Sequence, residues 1–107
     1  MNWDDLLDRI RQAGSEPVEE LFMDNYGTIL KKEHPELRGR NFRCTFGLAT
    51  VEGFRFEAYT FASSGDAADF LEVIDDGSGW YGVSNMVFHD PKSDRTEMEH
   101  LLNLLKT

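Results

Sequence analysis

The chain has 107 residues, 40% hydrophobic and 29% charged, with eleven lysines and arginines against twenty aspartates and glutamates for a net charge of −9. That length suits one domain spanning residues 1–107, and the composition is that of a globular protein rather than a disordered or repetitive one. The single cysteine, Cys44, excludes an intrachain disulfide and a cysteine-based zinc cluster, the acidity disfavours nucleic acid and anionic membranes, and no apolar run reaches membrane-spanning length.

Read in chain order, "MNWDDLLDRI" carries acids where a secretory leader needs positive charge, so a cytoplasmic, reduced setting is expected. Trp3, Leu6, Leu7 and Ile10 fall at helical spacing, with Asn2 as cap, Asp4 and Asp5 at the positive end of the helix dipole and Gly14 at the exit. A second helix is predicted from Ser15 to His34-Pro35, with Pro17 in its first turn and Val18, Leu21, Phe22, Tyr26, Ile29 and Leu30 on its inner face. Gly27 would lie inside it, marking a close crossing or a kink.

The period then changes to two. "NFRCTFGLATV" and "FRFEAYTFA" flank Glu52-Gly53 and predict a β-hairpin. A two-residue loop pairs Phe46 with Tyr59 and Cys44 with Phe61 on one side, and puts Thr45, Gly47, Ala49, Ala58 and Thr60 on the other. A three-residue loop with a bulge instead gathers Phe42, Cys44, Phe46, Leu48, Phe56 and Ala58. Both registers leave the sheet partly covered on both faces.

Residues 64–76 fit a helix, with Ala67, Phe70, Leu71 and Ile74 as its stripe and Ser64 as its cap, better than the alternative strand "DFLEVID". One strand over 80–88 follows, Pro91 breaks it, and Asp94 with Glu97 spells a capping box for a last helix carrying Met98, Leu101, Leu102 and Leu105. The order α-α-β-β-(α)-β-α predicts an α+β domain, an antiparallel sheet of three or four strands packed against helices.

"DDGSGWYGVSNMVFHD" spells G-x-G-x-x-G at Gly77, Gly79 and Gly82, but a strand follows where a nucleotide loop needs a helix, and Asp75 and Asp76 would repel the phosphate. It reads as a turn. His89 and Asp90 are neighbours in a strand and point to opposite faces, so they make no dyad by themselves. The acids Asp66, Asp69, Glu72, Asp75 and Asp76 lack the ligand alternation of a calcium loop and read as a solvated helix face. Neither a catalytic group, a cofactor nor a metal site is assigned.

Charge is distributed unevenly: residues 1–24 sum to −5, 25–64 to +2 and 65–107 to −6. The basic island Lys31, Lys32, Arg38, Arg40 and Arg43 is the candidate partner-binding segment. It sits between acidic arms, an arrangement compatible with two-fold self-association as a homodimer. The expected function is therefore a small acidic, non-enzymatic protein that binds another protein, in an immunity- or antitoxin-like or regulatory role. Two alternatives stand beside it. One is a small-molecule site between the sheet and the N-terminal helices, lined by Trp3, Phe46, Tyr59, Phe61, Tyr81 and Asn85. The other is a small hydrolase-like enzyme using His89 or His34.

Overall fold

A computed structural model describes residues 1–37, 39–40, 42–75, 77, 79–90, 92 and 95–105, the last segment without the Arg95 side chain. The elements are α1 (Trp3–Gln12), β1 (Val18–Met23), α2 (Gly27–Glu33), a 3-10 turn (Pro35–Leu37), β2 (Cys44–Val51), β3 (Phe54–Phe61), α3 (Ser64–Ile74), β4 (Trp80–Val83), β5 (Met86–His89) and α4 (Arg95–Leu105). The α+β class expected from the sequence is therefore what forms. The sheet, however, has five antiparallel strands in the order β1-β2-β3-β5-β4 rather than three or four.

Two local departures account for the difference. The single helix predicted over 15–34 is a strand followed by a two-turn helix. Pro17 precedes β1 instead of opening a helix, and Gly27 is the first residue of α2, where a Cβ would lie 2.5 Å from the Phe42 carbonyl oxygen. The apolar spacing misled because β1 changes register by one residue between Glu19 and Leu21. That extra residue puts Val18 and Leu21 on the same face although they are three apart, and sends Phe22 to the other, so a bulged strand reproduces helical spacing. The strand predicted over 80–88 is likewise a tight hairpin. Ser84, with φ 56°, and Asn85 form its turn, and Asn85 is clamped there by donating to the Phe61 carbonyl and accepting from the N-terminal amine.

The segment 64–74 is helical, with Ser63 rather than Ser64 accepting from the Asp66 amide as cap. Asp94 and Pro91 lie outside the described residues, so the expected capping box and strand break are not part of the description. Gly77 and Gly79 have positive φ, as turn positions do, and Gly82 sits beneath Leu71 on β4.

The β2–β3 loop has two residues, Glu52 and Gly53, both at positive φ, and the register Val51↔Phe54 runs through to Cys44↔Phe61. This is the first of the two registers, and it divides the core in two. One layer packs Trp3, Leu6, Leu7 and Ile10 of α1 and Met98, Leu101, Leu102 and Leu105 of α4 against Ala49, Phe56, Ala58, Met86 and Phe88. The opposite layer packs Tyr26 and Leu30 of the α2 region, Leu37, and Ala67, Phe70 and Ile74 of α3 against Cys44, Phe46, Tyr59, Phe61 and Val87.

On the first face the Trp3 ring lies directly over Gly47, where a Cβ would lie 2.5 Å from it. Gly47→Ala therefore pushes α1 off the sheet, and its unfolding free energy in urea titration is expected to fall by about 2 kcal/mol, the usual cost of overpacking a filled core. On the second face, burial pushes the Cys44 thiol up to about 12 and raises the phenols of Tyr59 and Tyr26 as well. An unfolded thiol loses its proton near pH 9 while the folded one holds it. Stability is accordingly complete below that pH and declines as pH rises beyond it, which urea midpoints at about pH 8 and about pH 11 will show.

Candidate functional site

The outer strand β1 reverses the usual division of side chains. Its acids are engaged: Glu19 accepts from the indole nitrogen of Trp3, and the Glu20 carboxylate lies 2.9 Å from Arg55 Nε on β3. Its apolar side chains are left open. Val18 is 59% exposed, Leu21 45% and Phe22 40%, and these are the large exposed hydrophobic residues among those described. Scattered exposed apolar residues are ordinary, whereas three on one six-residue edge strand leave both faces of that edge apolar, which needs a reason. Phe22 lies on the α1 side, stacked on Trp3 at 6.1 Å, while Val18 and Leu21 lie on the other face with Thr50 and Leu48.

On that second face one row crosses the whole sheet: Leu21, Leu48, Glu57, His89 and Trp80. Glu57 Oε1 is 3.0 Å from His89 Nδ1, both side chains are 21% exposed, and the His89 ring stacks on Trp80 at 4.0 Å. Beside them is an open depression of about 300 Å³ lined by Leu48, Arg55, Glu57 and Lys92. His34 meets the edge of Trp80 at 6.5 Å and lies 3.4 Å from Glu36. The Tyr26 hydroxyl donates to Glu33 at 2.7 Å. A histidine oriented by a carboxylate is a competent proton carrier in principle. Here the pair also ties β3 to β5, and the ring contact adds β4.

The residues singled out in the sequence are dispersed. Trp3 and Tyr81 belong to the α1–α4 layer, whereas Phe46, Tyr59 and Phe61 belong to the α2–α3 layer, so one pocket between the sheet and the N-terminal helices cannot hold them all. Asn85 is a turn residue occupied with backbone. Lys31 and Lys32 sit in the last turn of α2, and Arg40 and Arg43 are exposed on the segment leading to β2, while Arg38 lies outside the described residues. His89 and Asp90 diverge: His89 faces Glu57, and Asp90 is buried. His100 is exposed on α4. Among the described residues no group of three His, Cys, Asp or Glu side chains is placed to hold a metal ion.

Glu57 and Trp80 are not singled out by the sequence: Glu57 shares its face of β3 with Arg55, and its meeting with His89 appears only once the pairing of β3 with β5 is known. Helical spacing puts Val18, Leu21 and Phe22 on the buried face of a helix, which hides them as surface.

The His89–Glu57 contact is half-buried and cross-strand, so a double-mutant cycle with His89→Ala and Glu57→Ala is expected to return a coupling of about 1 kcal/mol in urea unfolding. A value near zero would show that the pair is not coupled in the folded chain. No protein-family model, curated protein or solved structure matches this chain.

Proposed function

We propose that this chain is a non-enzymatic protein-binding domain that takes a partner of opposite charge on the β1 side of its sheet. The observation that carries the reading is the clustering of Val18, Leu21 and Phe22 on one edge strand, in a chain of net charge −9. Apolar area supplies affinity at such a surface, and the surrounding acids steer a basic partner towards it and set the on-rate. The reading fits an acidic domain that neutralises or regulates another protein, as immunity proteins and antitoxins do. The basic segment at Lys31, Lys32, Arg40 and Arg43 lies outside that apolar cluster and is assigned no part in it.

A photo-crosslinking amino acid at position Leu21, introduced into the chain in the cells that make it, is expected to give a discrete adduct with a basic protein. The same group at Glu72, exposed on α3, is expected to give none. Equal adducts from both positions, or none from either, would overturn the reading. An adduct of twice the chain mass would assign the β1 side to self-association instead. Raising salt from low concentration to about 0.5 M should weaken the hetero-complex, because exposed charges are screened within several ångströms there.

A further inference from the structure

We infer that the partner enters as an extended basic segment that pairs with β1 and becomes a sixth strand of the sheet. The inference rests on the protein-binding reading above and names what kind of partner the surface fits. Three observations lead to it. First, β1 is an outer strand, paired with β2 on one side only, so the backbone groups along its other side are available for a ladder. Second, its exposed apolar side chains project from both faces, Phe22 towards the α1 side and Val18 and Leu21 towards the other. A helix or a flat protein surface laid on the sheet would cover one of these groups. A strand laid alongside alternates its own side chains between the faces and reaches both.

Third, charge selects the occupant. Residues 1–24 carry seven acids against Arg9 and Arg11, and Glu16 and Asp24 stand just before and just after β1. A second copy of the chain would bring the same net negative charge over residues 1–24, of which Glu16 is paired with Arg11 and Glu20 with Arg55, so like charge opposes self-association at this edge. A segment with lysine or arginine among its apolar residues meets attraction instead. β1 spans six residues, about 20 Å of extended chain, which sets the length of the segment.

The test is selection of random peptides displayed on phage against the immobilised full chain. The enriched sequences should carry apolar residues at both odd and even positions of an extended run of about six, so that both faces are reached, with lysine or arginine among them. Their affinity should fall at least tenfold on raising salt to about 0.5 M and at least tenfold in Leu21→Lys. Val18→Ser, a milder change at an exposed site, should weaken binding with an unchanged urea midpoint, which separates loss of contact from loss of fold. Amide exchange with the selected peptide bound should slow at residues 18–23.

Acidic peptides, peptides whose apolar residues fall on one strand face only, or no enrichment would overturn the inference. Peptides that protect another face would overturn it too while leaving protein binding in place. Protection of residues 18–23 that grows with protein concentration in the absence of peptide would replace the basic segment with a second copy. If the Leu21 crosslink finds a partner while peptide selection finds none, only the strand-addition inference fails. If both find nothing, the protein-binding reading fails with it.

Discussion

The Glu52-Gly53 turn decides more of this molecule than any other contact. Both residues hold positive φ, so the loop closes in two residues and Val51 pairs with Phe54. Strand side chains alternate, and every later assignment follows from that one pairing. Phe46 and Tyr59 go to the α2–α3 side, and Ala49, Phe56 and Ala58 to the α1–α4 side. A loop longer by one residue would turn one strand over. If β2 turned, Gly47 would no longer lie beneath Trp3; if β3 turned, Glu57 would no longer face His89.

With the register set, each face of the sheet recruits its helices by shape. The α1 side is lined by small residues along β2, and Gly47 lets the Trp3 ring descend to the backbone. The α2–α3 side is aromatic, with Phe46, Tyr59, Phe61, Phe70 and Trp80 in mutual contact at centroid separations of 5 to 6 Å. These rings do the work of core, which is the ordinary role of large aromatic residues in a chain this short. On β1, Trp3 of α1 stacks on Phe22 and engages Glu19, and Arg55 engages Glu20, while Val18, Leu21 and Phe22 remain exposed.

The acidic charge and the open edge therefore complement one another. An uncovered apolar edge is a liability in a protein that meets copies of itself, and a net charge of −9 opposes that encounter. The His89–Glu57–Trp80 group, by contrast, is explained by its place in the sheet, where it links β3, β5 and β4.

What the sequence determined by itself was the set of strongly periodic elements. The Trp3–Leu6–Leu7–Ile10 stripe, the Met98–Leu105 stripe and the existence of the β2–β3 hairpin were legible from apolar spacing, while residues 64–76 admitted a strand beside the helix that forms and the hairpin spacing left two registers open. The tertiary structure decided the rest. The one-residue register change at Glu20 made a strand look helical, and a Ser-Asn turn broke what read as one strand into two. The exposed edge depended on both the strand assignment and on which strands found neighbours, and neither is written in local spacing. Glu57 and His89 lie 32 residues apart and meet only because β3 and β5 pair in one register. Local periodicity names the faces of an element; only pairing across the sheet says what each face meets.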